Sequence, residues 1–336
     1  MARVVVVGGG VIGCAVAERL SRARRHDVLL LERDAVGAHA SGAAAGLLSP
    51  HSETADLGLS MRSLAMFPEL VRRVERSGIT VEYQEHDGLT PALTVEEERA
   101  LRHGPGRWLD GVHARAAEPG LSDRVRGAAA FREAQVTPIR LVRGLARTAA
   151  AQGAEIREGA PVGALSVRSG RLHGVLTAEG ELGADVVVLA AGPWSPALAS
   201  PAGAALEVRP SRGQLVMMRP TGAAMQHVLT WRGCYLVPKP DGTVVAGSTE
   251  ENAGFDDRPT VNGVAGLLQF ASRVVPALGQ ATVERVWAAL RPATPDGQPV
   301  IGPVPGMPNL VVATGHNRTG ILLAPVTAEL VAERLP

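Results

Sequence analysis

Four consecutive valines, Val4 to Val7, run into Gly8-Gly9-Gly10-Val11-Ile12-Gly13, and a second apolar run, Val28 to Leu31, ends at Glu32. No other segment constrains the fold as strongly. A run of β-branched residues with no polar alternation reads as a parallel strand buried on both faces. The glycine spacing then reads as a tight turn into a helix over 11–24, and 28–32 as a second strand ending in an acid. Gly8 permits the turn, Gly10 removes a side chain where a pyrophosphate must approach backbone amides, and Gly13 lets helix and strand pack closely. Val11 and Ile12 open the helix whose positive end receives the pyrophosphate. Glu32, 19 residues after Gly13, suits the two ribose hydroxyls of an adenine dinucleotide and repels a ribose phosphate.

Composition narrows the remaining classes. The chain has 336 residues, 46% of them apolar, and a formal net charge of +1. That is room for one large core or two domains. With no basic block and few aromatics, nucleic-acid binding has no support. The two cysteines, Cys14 and Cys234, form neither a CxxC pair nor a metal-ligand cluster, so they read as unpaired thiols in a reducing compartment, and no metal site is expected. Glycines at 8, 9, 10 and 13 argue against a signal peptide, and no stretch reaches the length of a membrane span. A cytoplasmic enzyme is expected.

Further along, 58–76 has helical spacing, Thr80 to Tyr83 alternates as a strand would, and Thr94-Val95-Glu96-Glu97 reads as a capped helix start. Pro138 and Gly153 bracket a helix over 138–152. Residues 162–168 and 171–177 read as a hairpin around Ser169-Gly170, and 185–192 as another all-apolar strand of the first sheet, joined by 310–313. Strands are expected at 206–209, 213–218, 234–237 and 243–248, and helices at 260–275 and 320–335. The nucleotide-binding fold is therefore interrupted by a β-rich second domain. The expected division is 1–80, 136–212 and 285–336 for the nucleotide-binding part, and 81–135 with 213–284 for the other.

Four segments carry a resemblance that spans the chain: Gly8–Gly13 with Glu32-Arg33; Ser41 to Leu48; Trp287 to Pro292 with Thr294 to Gly297; and Gly315 to Pro325. With these the chain resembles the D-amino-acid oxidase superfamily of flavoproteins, and within it the glycine oxidase branch linked to thiamine biosynthesis. The resemblance implies an α/β plus β architecture, a Rossmann-like FAD-binding domain interrupted by a substrate domain with an antiparallel or mixed sheet. It also implies FAD held without a covalent bond, since no cysteine follows Cys234. Ser41, Ala45, Gly46 and Leu47 are implied to line the flavin and pyrophosphate. Val162 would meet adenine through its backbone. Gly192 and Trp194 would flank the ribityl chain, and Gly315, Arg318, Thr319, Gly320, Ile321 and Leu322 would bring amides and a helix N-terminus to the isoalloxazine.

An amino acid substrate needs its carboxylate clamped before its Cα–H can face a flavin, and arginine is the natural clamp. The resemblance assigns that role to Arg291, a hydrogen bond to the same carboxylate to Tyr235, and a lining role to Arg318. The reaction it implies is oxidative deamination of glycine and other small amines or D-amino acids, with molecular oxygen as acceptor. Thr230 and Glu250 depart from the bacillary pattern, which leaves side-chain preference open. Sarcosine, D-amino-acid or proline oxidases and dehydrogenases stay open as alternatives, as do a non-catalytic flavin-binding protein and a nicotinamide dehydrogenase. So does a homo-oligomeric state.

Overall fold

The computed structural model describes residues 1–51, 56–222 and 225–335. Two compact units divide the chain: Met1–Val81, Val136–Ser211 and Leu290–Pro336 form the first, and Glu82–Gln135 with Arg212–Ala289 the second.

The first unit is built on a six-stranded sheet ordered Val300–Val304, Met307–Thr314, Val186–Leu189, Ala2–Val7, His26–Leu31, Glu155–Arg157. Every pairing is parallel except that of the edge strand Val300–Val304. Val4 lies opposite both Val28 and Val186, so the valine run sits at the centre of the sheet. Valines 4 to 6 are completely buried, as a strand covered on both faces requires. On one face helix Val11–Ala23 packs beside helices Pro138–Ala151 and Gly320–Ala332. On the other, Val5, Val7, Leu29, Leu31, Val187 and Leu189 meet Leu165, Leu172 and Val175. Those three belong to a small antiparallel sheet of Val162–Arg168, Arg171–Thr177 and Gly180–Gly183. Each buried aliphatic side chain contributes roughly 1.5–3 kcal/mol of transfer free energy, which makes this layer a main stabiliser of the unit.

The second unit has a sheet ordered Thr282–Ala293, Arg209–Arg219, Val244–Gly247, Cys234–Pro238, Leu229–Trp231, Gln84–Ala92, Gly127–Gln135, with Arg107–Asp110 paired to the last. Leu229–Trp231 runs parallel to Gln84–Ala92 while its other neighbour is antiparallel, so the sheet is mixed. One face carries Leu89, Ala130, Val216, Met218, Leu229, Leu236 and Ala246 and buries them against Leu267, Phe270 and Val274 of helix Val261–Val274. Side chains alternate along a strand. Thr90, Thr230, Tyr235 and Gly247, each one residue from a core member, therefore belong to the opposite face.

The sequence reading departs from this structure at identifiable places. Thr80 to Tyr83 is not a strand; pairing begins at Gln84 and runs through Gly88 and Pro91 to Ala92. The small-residue loop holds a short helix, Ala40–Ala43. The strand expected over 185–192 stops at Leu189, and Gly192 instead opens a 3-10 turn, Gly192–Trp194. Residues 206–208 carry no strand, and the terminal helix ends at Ala332. The strand Thr282–Ala293 runs across position 285, and the compact second unit includes residues 285–289.

Candidate cofactor and substrate site

The cradle forms where the first strand ends. Gly8 adopts φ +112°, and a Cβ there would strike the Ala190 carbonyl; only glycine turns the chain this sharply beside the neighbouring strand. Gly13 packs so tightly on the turn that a Cβ would collide with the Gly8 carbonyl oxygen. Helix Val11–Ala23 starts at Gly10 with no side-chain cap from that residue and no acid in its first turn. The Val11 amide donates to Ser41 Oγ at 2.9 Å, which ties the small-residue loop to the helix start. A Cβ at Gly10 would meet only Ser41 Oγ within 4 Å, at 3.2 Å.

Glu32 is 6% exposed at the end of the second strand. Its carboxylate accepts from the Gly9 amide at 2.6 Å and the Asp34 amide at 2.9 Å. A buried carboxylate held by backbone amides keeps lone pairs for further donors. Gly9 has no site role in the sequence analysis; it contributes its amide and its lack of a side chain, since a Cβ there would stand 2.8 Å from Glu32 Cβ. The Arg33 guanidinium lies 3.8 Å from the centre of the Trp194 ring, and the His39 ring meets the same ring tilted at 58°, with centroids 4.9 Å apart. His39 Nε2 lies 2.7 Å from Asp34 Oδ2, and Arg33 Nε donates to that oxygen at 2.9 Å. These two bonds hold the Asp34 carboxyl below its ordinary range. Glu32, Asp34 and His39 bring ligand-type atoms within 4.8 Å of one another. All three are engaged by the partners just named.

Ala45 and Gly46 are buried and Leu47 half-buried, with the Gly46 carbonyl accepting from Val136. Val162 is half-buried at the start of the small sheet. The Gly192 carbonyl accepts from Thr314 Oγ1 at 2.9 Å, which fixes the 3-10 turn to the strand that leads to Gly315. A Cβ at Gly315 would lie 2.7 Å from Thr294 Cγ2. Thr319 closes a turn on the His316 carbonyl, and Gly320 opens the terminal helix with Ile321 and Leu322 buried behind it. His316 and Asn317 escaped the sequence reading as site residues. His316 is 2% exposed and its Nε2 lies 3.0 Å from Thr327 Oγ1. Burial pushes its pKa down to about 3, so the imidazole is neutral. His316 Nδ1 and Asn317 Oδ1 are buried without a hydrogen-bond partner among the described residues.

These features fit a dinucleotide. The helix start is free of acids, a Cβ at Gly10 would meet only Ser41 Oγ, and the buried Glu32 carboxylate keeps lone pairs for hydroxyl donors. Two buried polar atoms, His316 Nδ1 and Asn317 Oδ1, without a partner among the described residues, lie beside Gly315 at the start of a second helix. Cys14 adds nothing reactive. It is buried, its Sγ donates to the Gly9 carbonyl at 3.5 Å, and burial drives its pKa far up.

Of the residues assigned to substrate, Arg291 and Arg318 fall in the first unit and Tyr235 in the second. Arg291 is half-buried near the end of strand Thr282–Ala293, and Arg318 half-buried in the turn before the terminal helix. Tyr235 pairs with Thr230 on one side and Gly247 on the other. Thr230 Oγ1 lies 2.7 Å from Thr90 Oγ1. Glu250 is exposed.

Comparison with known proteins agrees with this geometry. The chain is 37% identical to the glycine oxidase of Geobacillus kaustophilus over 98% of its length and 92% of that protein. It is also 37% identical to the bifunctional protein ThiO/ThiG of Synechocystis, covering 98% of this chain but 51% of that one, so it spans about half the length of the bifunctional relatives. The crystal structure of the Geobacillus glycine oxidase superposes with a TM-score of 0.93 at 34% identity, covering 99% of this chain and 94% of that one. The family model described as FAD dependent oxidoreductase matches residues 3–334. The matched span takes in the glycine cradle, Glu32 and the Gly315–Leu322 turn alike, and the chain belongs to the family of FAD-dependent oxidoreductases.

Proposed function

We propose that this chain is an FAD-dependent amino acid oxidase of the glycine oxidase type, acting on glycine and other small amines or D-amino acids. The observation that carries the cofactor assignment is the Glu32 carboxylate, held 2.6 Å from the Gly9 amide beside an acid-free helix start. The relatives named glycine oxidase support the substrate class. FAD, when bound, supplies the hydride acceptor and passes two electrons to molecular oxygen. The chain's own residues bind and orient. Arg291 holds the substrate carboxylate with its planar fork, Tyr235 donates to the same carboxylate, and Arg318 lines the site. The positive end of helix Gly320–Ala332 and the amides around Gly315 would hold the flavin ring and would favour negative charge there. Amino acid, water and oxygen become oxo acid, ammonia and hydrogen peroxide; with glycine the oxo acid is glyoxylate.

Anaerobic addition of glycine to the yellow purified protein tests this directly. Bleaching of the flavin band is expected, and peroxide on readmitting air. No bleaching with glycine, but bleaching with sarcosine, D-alanine or D-proline, moves the assignment to a related specificity. Dye reduction without peroxide makes the enzyme a dehydrogenase. In the active protein, Arg291→Ala is expected to raise KM by roughly 100-fold or more, the scale of a lost bidentate charge-assisted pair. An unchanged KM removes Arg291 from the role of clamp.

A further inference from the structure

Tyr235 faces a glycine directly across the sheet. Gly247 is its register partner on the neighbouring strand. A Cβ at Gly247 would stand 2.7 Å from Tyr235 Cε2 and 2.8 Å from both Cζ and the phenolic oxygen. Non-bonded carbon atoms settle at roughly 3.5–4.0 Å. The atoms met are those at the far end of the ring, so the ring lies across the next strand with its hydroxyl over Gly247. On its other side Thr230 is occupied with Thr90. Gly247 is not among the residues with positive φ, and it ends a buried strand, Val244–Gly247, where a side chain would ordinarily add packing. The space a side chain would take at 247 is filled by the end of the Tyr235 ring.

We propose that Gly247 is a positioning residue for substrate binding: the space it leaves holds the Tyr235 hydroxyl and sets where its hydrogen bond is offered. The inference rests on the reading of Tyr235 as a donor to the substrate carboxylate. A methyl group at 247 must displace the end of the ring by roughly 1 Å to reach normal contact. A hydrogen bond stretched by that amount is largely lost.

Steady-state kinetics with glycine on the holoenzyme test this. Tyr235→Phe and Gly247→Ala are each expected to raise KM by roughly tenfold, with kcat changed less than about threefold, in line with the loss of one hydrogen bond to a charged group. The double variant should be no worse than Tyr235→Phe alone, because both changes remove the same bond. A second readout needs no turnover. The chain has only two tyrosines, Tyr83 and Tyr235. Labelling with 3-fluorotyrosine therefore gives two fluorine resonances, which Tyr83→Phe assigns. In the Gly247→Ala protein the Tyr235 resonance should move and stop responding to added acetate, while that of Tyr83 stays in place. If Tyr235→Phe raises KM but Gly247→Ala leaves both KM and the Tyr235 resonance unchanged, this proposal falls and the Tyr235 reading stands. An unchanged KM in Tyr235→Phe instead overturns the Tyr235 reading itself. Should Gly247→Ala not fold, adding Tyr235→Leu should restore a folded, FAD-binding protein; failure to restore it overturns the proposal.

Discussion

Glu32 is the residue on which the cofactor assignment turns, and its environment makes a sharp expectation. Its carboxylate is buried and held by two backbone amides, which leaves lone pairs for the ribose hydroxyls proposed above. Glu32→Ala should weaken FAD binding by about 1.5–3 kcal/mol, roughly 10–100-fold, with Glu32→Gln intermediate. Ultrafiltration followed by absorbance of retained flavin measures this; retention equal to that of the unaltered protein rules out the ribose role. Residues of this kind were legible in the sequence because their chemistry is local. Gly8, Gly13 and Glu32 declare themselves by spacing around two apolar runs. Gly9, His316, Asn317 and Gly247 do not. Gly9 is defined by its closeness to Glu32, whose Cβ would stand 2.8 Å from a Cβ at position 9, and Gly247 by a ring on another strand. His316 is singled out by burial, which depends on packing from distant segments.

At the scale of elements, local signals were reliable wherever they sufficed to stop or start a segment. The hairpin over 162–168 and 171–177 is found with those bounds, since Ser169-Gly170 supplies a turn with positive φ at both residues. Thr94 forms a full capping box with Glu97, and the helix runs Val95–Arg102. That helix is short and has no buried residue, so its cap matters. Thr94→Ala should cost about 1 kcal/mol, read as a lowered urea midpoint with unchanged slope. Glu97 also accepts from Trp231 Nε1 and Arg232 Nε, which makes it a tie as well as a cap residue. The strand Gln84–Ala92 was not legible. Polar residues, Gly88 and Pro91 disqualify it locally, and it exists because Gly127–Gln135 supplies a complete antiparallel partner.

For the whole molecule, the interruption of the first sheet was readable because its strands are nearly continuous apolar runs, and only parallel, doubly covered strands need that. How the second unit's strands order themselves was not, since alternation gives a face but no neighbour. Global stability carries one pH signature. His316 titrates near 6.5 when unfolded and about 3 when folded, because burial opposes its charge. Between those values the unfolded chain binds the extra proton. The contribution is therefore complete above about pH 6.5 and is lost as pH falls toward 3, with a slope approaching roughly 1.4 kcal/mol per unit. Urea midpoints at pH 7.5 and 5.5 should differ more for the unaltered protein than for His316→Asn. Equal differences would mean that His316 is not held neutral by the fold.

The strand order of the first unit has a consequence for how the protein is made. Val186–Leu189 sits between a strand that ends at Val7 and one that begins at Met307. A ribosome adds roughly 5–20 residues each second, so Val186–Leu189, once paired with the valine strand, waits roughly 6–24 s for Met307–Thr314 to complete its other side. For that interval Val186–Leu189, an all-apolar strand, has an open neighbour position. A nascent protein in this state is a substrate for chaperones that recognise exposed apolar β-strands, and slower synthesis past residue 190 lengthens its exposure. The yield of folded enzyme in a foreign host should thus depend on the speed at which the last third of the message is read.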